Sequence, residues 1–217
     1  MSQFTYQLAY QRRLPHIQPP GATFFITFRL LDSVPKHVLQ QWADEGIAFK
    51  RQIAGLNTKS DEAQIQQIRE KIVRAYFRNL DRYLDGGDCG PNWLRDARLA
   101  DTVKNALHFF DAKKYALIAF CIMSNHVHLL ITPLMEGGVF LSLASIMHSL
   151  KRYTSRECNK LLNRTGSFWA AESFDHYVRD EEELSRTVRY ILNNPVKAGL
   201  VSKWEDWLWN YPRPPRT

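Results

Sequence analysis

The chain has 217 residues, of which 45% are hydrophobic and 12% are aromatic, with a formal net charge of +7 and a pI near 9.4. This composition supports a folded core and excludes a disordered protein. The longest apolar run, residues 115–123, is too short to cross a bilayer, and the N-terminus lacks a signal pattern, so we expect no membrane association. Three cysteines (Cys89, Cys121 and Cys158) form no C-x-x-C pair and leave an odd thiol, which predicts a reducing, cytoplasmic location.

The N-terminal third is predicted to contain an arm, a strand and two helices. Residues 1–21 are rich in proline and polar residues, which indicates an extended arm. The β-branched and aromatic residues of 22–30 predict a core strand. Apolar spacing predicts helices at 35–54 and 61–84, separated by a turn at 55–60. We interpret 35–84 as a helical insertion.

The middle of the chain is predicted to form a helix and a hairpin. Glycines in residues 85–91 indicate a loop within one domain. A helix is expected at about 96–110. Strands at 115–123 and 126–132, separated by a two-residue polar break, predict a β-hairpin.

The C-terminal part is predicted to contain a helix at 140–162, a strand at 173–178, a helix that begins in the acidic residues 180–183, and a tail at 195–217. The order of strand, helices, hairpin, helix and strand is typical of an α+β fold. We therefore predict a ferredoxin-like (RRM-like) antiparallel sheet with helices on one face, in a single domain over residues 1–217.

The positive charge is concentrated on one predicted helix. Between Ser145 and Arg164 there are five basic residues and one acidic residue, so this stretch holds more than half of the net charge. Such a cluster attracts phosphates and releases their counterions, although a merely solvated basic surface is an alternative. The candidate DNA-binding residues are Lys151, Arg152, Arg156, Lys160 and Arg164.

A His-x-His pair lies on the second strand of the predicted hairpin. Strand alternation places His126 and His128 on one face and Val127, Leu129 and Ile131 on the other. The apolar face is expected to meet the helices, which leaves the imidazoles on an open face. Two imidazoles so placed can share one divalent cation, whereas half-exposed strand histidines are the alternative.

A tyrosine and a carboxylate lie one turn apart on the basic helix. Tyr153 and Glu157 share a helix face because they are four residues apart. Each can be an ordinary surface or core-edge residue. Together with the histidines and the basic cluster, however, they supply the groups that phosphodiester transesterification needs. Glu157 is then a candidate third metal ligand.

Several motifs resemble the REP-associated tyrosine transposases, which are relatives of the IS200-like single-tyrosine (Y1) HUH transposases. They are CIMSNHVHLLITP, SLKRYTSRECNKLL, GSFWAAESFDHYVRDEEEL and YILNNPVKAGLV, and the N-terminal RRLPHIQPPGATFFITFRL and DRYLDGG stretches are similar too. The resemblance implies an HUH transposase fold with extra helices over nearly the whole chain. It implies metal binding at His126 and His128, and Tyr153 as the nucleophile.

The resemblance also implies an activity and a partner. The activity is metal-dependent cleavage and transfer of single-stranded DNA through a covalent 5′-phosphotyrosine, with Mn²⁺ or Mg²⁺ as the cofactor. The partner is repeat DNA whose imperfect palindromes form hairpins. IS200-like relatives often have Gln four residues after the tyrosine as a third metal ligand, where this chain has Glu157. IS200-like relatives act as dimers with the tyrosine helix in trans, whereas REP-associated ones can be monomers, so the resemblance allows a monomer or a homodimer.

Three alternatives remain to the hypothesis of a single-tyrosine transposase with Tyr153 as the nucleophile. Tyr177 and Tyr190 are the next candidates for the nucleophile. A non-catalytic module that binds single-stranded nucleic acid could use the same sheet and basic helix. A histidine-dependent phosphoesterase of the histidine-triad type would need a third histidine where Leu130 stands.

Overall fold

A computed structural model describes residues 9–11, 15–54, 61–86 and 90–214. The predicted turn at 55–60, Cys89 and parts of the predicted arm and tail lie outside these ranges. Of the cysteines within them, Cys121 and Cys158 are buried free thiols. None of the helices described is both long and apolar enough to span a membrane.

The described ranges contain short N-terminal strands, a main sheet and helices on both of its sides. The strands are β1 (Ala9–Gln11), β2 (Pro15–Ile17), β3 (Phe24–Leu30), β4 (Tyr115–Ile122), β5 (His126–Pro133), β6 (Met135–Glu136), β7 (Val139–Phe140), β8 (Trp169–Tyr177) and β9 (Asn210–Pro212). The helices are α1 (Lys36–Ala54), α2 (Glu62–Gly86), α3 (Ala97–Phe110), α4 (Leu143–Leu161) and α5 (Glu181–Lys197).

The main sheet has five antiparallel strands in the order β8-β3-β5-β4-β9. Strand β5 lies at its centre, and its side chains are buried on both faces. Aromatic and β-branched residues in β3 and β5 suit a strand that is covered on both sides. The predicted α+β fold and the predicted hairpin are confirmed.

Helices α3 and α4 cover one face of the sheet. Their apolar residues pack on Val127, Leu129 and Ile131, the odd-numbered side of β5, as the alternation predicted. Ser142 begins α4 by accepting a hydrogen bond from the backbone N–H of Ser145. Helix α4 therefore starts three residues later than the predicted residue 140, because residues 139–140 pair in β7.

The other face of the sheet is covered as well, by α1, α2 and α5. Leu130, on the even-numbered side of β5, packs in a second core with Trp42 of α1, Leu84 of α2 and Ile191 of α5. The histidines were expected on an open face, and the structure corrects this expectation. The extra helices bury that face because the apolar stripes of α2 and α5 need a surface to cover.

The C-terminal segment contributes to the sheet. Helix α5 continues to Lys197 with Pro195 inside its last turn, so the predicted tail begins within a helix. Farther on, β9 pairs with β4 through Tyr211 and Phe120, whose rings stack. Strand β8 is also longer than predicted and begins at Trp169 rather than at residue 173.

Candidate active site

The histidine pair lies at the centre of the sheet. His128 is directly opposite Thr27 of β3 and Cys121 of β4 in the strand pairing. Both His126 and His128 are completely buried. Because β5 pairs with β3 on one side and β4 on the other, the backbone of both histidines is fixed. The imidazoles therefore hold one defined position.

Hydrogen bonds orient both imidazoles toward each other. The Nδ1 atom of His126 lies 2.7 Å from Oδ1 of Asn125, and the Nδ1 atom of His128 lies 2.8 Å from Oγ1 of Thr27. The two Nε2 atoms are 3.0 Å apart. Partners on Nδ1 that leave Nε2 directed at a common point are typical of metal-binding histidines.

Both imidazoles are neutral at neutral pH. Burial and, to a smaller extent, the positive charge of Lys197 lower the pKa of His128 to about 3. Burial also lowers the pKa of His126 well below its ordinary value, assisted by His128. A neutral imidazole keeps the lone pair that a metal ion needs, so the pair fits a divalent cation.

Helix α5 brings a tyrosine and an amide to the histidines. Tyr190 and Asn194 are four residues apart and share the helix face that packs on the sheet. The Tyr190 ring lies 5.4 Å from the His128 ring, centroid to centroid. Asn194 is completely buried, and neither polar atom of its side chain has a hydrogen-bond partner of ordinary geometry within the described residues.

An unpartnered buried amide is costly, by about 1–3 kcal/mol, unless a ligand satisfies it. Asn194 influences the pKa values of both His128 and Tyr190, so its amide lies beside them. Among the residues described, no three His, Cys, Asp or Glu side chains form a group that could hold a metal ion. The amide oxygen of Asn194 therefore fits the place of a third ligand.

Helix α2 adds two carboxylates on the same side. Asp81 accepts a hydrogen bond from the Tyr190 hydroxyl, and its second oxygen lies 2.5 Å from Nζ of Lys197. Asp85 pairs with the same ammonium at 2.8 Å. Burial, followed by the charge of Asp81, raises the pKa of Tyr190 above its ordinary value.

The structure does not bring Tyr153 and Glu157 to the histidines. Helix α4 packs through Leu150 and Cys158 on the face where Val127 lies, so the sheet separates both side chains from the imidazoles. Tyr153 is 44% exposed and faces the groove between α3 and α4. Within a single chain, this arrangement gives no support to Tyr153 as the nucleophile or to Glu157 as a metal ligand.

Glu157 has partners of its own on the helix surface. Its carboxylate lies 2.7 Å from Nε of Arg156 and 3.2 Å from Nζ of Lys160. Hydrogen bonds from these two residues lower the pKa of the carboxyl group. Glu157 thus behaves as a surface residue that offsets neighbouring cations, and Arg156 and Lys160 are partly neutralised by it.

Two other basic residues of this region are held by the fold. Lys151 donates to the carbonyl oxygens of Ala170 and Ala171, and so links α4 to β8. Arg164 donates to the Ser167 carbonyl, and its guanidinium lies 4.2 Å from the centroid of the Trp93 ring. By contrast, Arg152 is exposed, with no hydrogen bond or ion pair to any residue in the described ranges.

One sequence signal distinguishes Tyr190 from Tyr153. Of the nine tyrosines, Tyr190 alone has an amide side chain four residues later. This spacing matches the tyrosine and glutamine of IS200-like relatives better than Tyr153 and Glu157 do. This signal was outweighed by local charge, because the basic residues cluster around Tyr153.

Comparison with known proteins supports the resemblance. Residues 92–194 match the family model for IS200-like transposases. A REP-associated tyrosine transposase from Haemophilus influenzae is 29% identical over 99 residues, which span 43% of this chain and 56% of that relative. The match thus covers little more than half of the relative's length.

A solved structure has the same fold. It is a REP-associated tyrosine transposase bound to a REP hairpin, with a TM-score of 0.50 and 17% identity, over 93% of this chain and 80% of that one. Helix α2 and its carboxylates lie outside the stretch that matches the family model. Residues 92–194 are thus similar to the IS200-like transposases, and the chain shares its fold with the solved structure.

Proposed function

We propose that this protein is a metal-dependent, single-tyrosine endonuclease and strand transferase of single-stranded DNA, with Tyr190 as the nucleophile. His126, His128 and Asn194 would hold the cation. One observation carries the proposal: a single helix places a tyrosine hydroxyl and an unpartnered amide beside two converging imidazole nitrogens.

The ligand set fits a small divalent cation. Two neutral nitrogens and one amide oxygen suit Mn²⁺, and Mg²⁺ is the alternative in the cell. When bound, the cation polarises the scissile phosphate and offsets the charge that develops on its oxygens. The Thr27 hydroxyl holds His128 in place through a hydrogen bond to Nδ1, and the Asn125 side chain holds His126 in the same way.

Tyr190 supplies the attacking oxygen. Its oxygen forms a bond to phosphorus, the bond from phosphorus to the 3′ oxygen breaks, and the leaving oxygen takes up a proton as a 3′-hydroxyl. The phenol gives up its proton in the same reaction. The phosphotyrosine conserves the energy of the phosphodiester bond, so the strand can be rejoined to another 3′-hydroxyl.

The nucleophile and the imidazoles belong to the same chain. Tyr190 packs on His128 without a second copy of the protein. We therefore propose that cleavage takes place in cis, so that a monomer is sufficient.

The proposed substrate is repeat DNA that folds into hairpins, as in the complex of the structural relative, and the proposed location is the cytoplasm. The test is incubation with hairpin-bearing single strands in Mn²⁺, followed by a denaturing gel. We expect a cleaved strand and a covalent protein–DNA adduct, both absent in EDTA and with blunt duplex of the same sequence. Binding without cleavage in Mn²⁺ and Mg²⁺ would favour the non-catalytic binding module.

We propose that the exposed cations of α4 bind DNA away from the point of cleavage. Arg152 lines an open cleft of about 840 Å³ between α4 and β8, on the sheet face opposite the histidines. A phosphate contact there adds affinity through counterion release but does not touch the reacting atoms.

Arg152→Ala is therefore expected to weaken DNA binding at all sequences and to reduce the slope of log K against log salt by about 1. The cleavage rate at saturating DNA should remain that of the wild type. Fluorescence anisotropy at several salt concentrations measures the slope. Arg186→Ala is the matched control, because Arg186 is paired with Glu182 on α5. Equal slopes for Arg152→Ala and the wild type would remove Arg152 from the DNA interface.

A further inference from the structure

Asp81 is a buried carboxylate of α2 that lies against the candidate active site. Asp81 is only 7% exposed. One carboxylate oxygen accepts the Tyr190 hydroxyl and lies 3.9 Å from Nε2 of His128, and the other lies 2.5 Å from Nζ of Lys197. Burying a carboxylate without partners is costly, so the fold supplies Asp81 with these three neighbours and holds it in position.

Helix α2 is itself anchored to the strand that carries the histidines. The Asn125 side chain donates through Nδ2 to the carbonyl oxygen of Leu84, one turn after Asp81. Its Oδ1 atom accepts a hydrogen bond from Nδ1 of His126. The side chains of Leu80 and Leu84 are buried in the second core. The position of Asp81 is thus coupled to that of the imidazoles.

The hydrogen bond determines how the phenol is presented. Because the hydroxyl proton of Tyr190 is directed at Asp81, the oxygen lone pairs are directed elsewhere and remain free for attack. A tyrosine side chain without this contact could rotate about its side-chain bonds, and a misplacement of about 1 Å can cost about 100-fold in rate. Lys197 in turn holds the Asp81 carboxylate. Such a chain of three groups, in which the third orients the residue hydrogen-bonded to the nucleophile, is common in enzymes with an activated nucleophile.

We propose that Asp81 is a positioning residue for the cleavage reaction, which holds the Tyr190 hydroxyl in the orientation for attack beside the histidine pair. This inference rests on the proposed function of Tyr190. It assigns a catalytic contribution to α2, which lies outside the residues that match the family model.

Asp81→Ala is expected to lower the single-turnover cleavage rate at saturating DNA and Mn²⁺ by about 10- to 100-fold. The Mn²⁺ concentration for half-maximal rate and the DNA affinity should stay at their wild-type values, because Asp81 is assigned neither to the metal site nor to the DNA interface. Asp81→Asn keeps an oxygen that accepts the phenol hydrogen bond, so it should recover part of the rate. If Asp81→Ala does not fold, the comparison of Asp81→Asn with the wild type carries the test.

Asp85→Asn is the matched control. Asp85 lies on the same helix and pairs with the same ammonium but makes no hydrogen bond to the Tyr190 hydroxyl, so this variant should keep the wild-type rate. A loss of rate equal to that of Asp81→Ala would show that only the anchoring of α2 matters and would overturn the proposal.

Other results would overturn it as well. A faster rate in Asp81→Ala would mean that the carboxylate blocks the site, and a higher Mn²⁺ requirement would make it a metal ligand. Tyr190→Phe is measured in the same series: if it cleaves normally, the proposed function itself fails. If Tyr190→Phe is inactive and Asp81→Ala is unaffected, the proposed function stands and the positioning role of Asp81 is wrong.

Discussion

Tyr190→Phe is expected to abolish DNA cleavage and the covalent adduct, with a loss of rate on the order of 10⁴-fold or more. The substitution removes the attacking oxygen but keeps the ring that packs against His128 and Phe25. DNA affinity should therefore change little. Single-turnover cleavage on a denaturing gel measures the rate, and fluorescence anisotropy measures the affinity.

Tyr153→Phe is the matched control for this experiment. The Tyr153 phenol is exposed on α4, across the sheet from the histidines, so its loss should leave both cleavage and adduct formation intact. If Tyr153→Phe is inactive and Tyr190→Phe is active, the nucleophile is on α4 and must act on the imidazoles of a second copy. Mixing Tyr153→Phe with His128→Ala would then restore cleavage, because one copy supplies the imidazoles and the other supplies the tyrosine.

His128→Ala is the second change with a large expected effect. It removes one of the two converging nitrogens, so binding of Mn²⁺ should weaken by at least about 100-fold, and cleavage at ordinary Mn²⁺ concentrations should be lost. Mn²⁺ binding is measured directly by electron paramagnetic resonance, and cleavage is measured over a Mn²⁺ titration.

His148→Ala is the control, since His148 is exposed on α4 and lies far from the pair in the fold. Thermal unfolding in EDTA shows whether His128→Ala keeps the fold after loss of a buried side chain. A folded His128→Ala protein with the wild-type Mn²⁺ affinity would contradict the metal site. An unchanged cleavage rate in that protein would contradict the role of the cation.

The sequence predicted the part of the site that depends on local periodicity. Alternation along β5 placed His126 and His128 on one face and Val127 on the other, and the structure has this arrangement. Period-two alternation is a property of the strand alone, so it needs no knowledge of the rest of the chain. The hairpin and the α+β class follow from equally local signals.

The sequence did not predict which helix covers the imidazoles. Helical periodicity shows which side of α4 or α5 is apolar, but not on which face of the sheet that side packs. Helical periodicity therefore did not separate Tyr153 from Tyr190, and local charge favoured Tyr153. The role of α2 was hidden for the same reason, because Asp81 meets Tyr190 across 109 residues of sequence. Strand β9 was missed because three residues give too little alternation to detect.

The identity of the residue that bonds to DNA is the central claim, and peptide mapping of the wild-type adduct tests it most directly. Cleavage by trypsin after arginine and lysine separates the candidates: Tyr190 falls in the peptide of residues 190–197 and Tyr153 in that of residues 153–156. Mass spectrometry of the adduct formed with a hairpin-bearing single strand in Mn²⁺ should find the nucleotide on peptide 190–197. A nucleotide on peptide 153–156 would contradict the account.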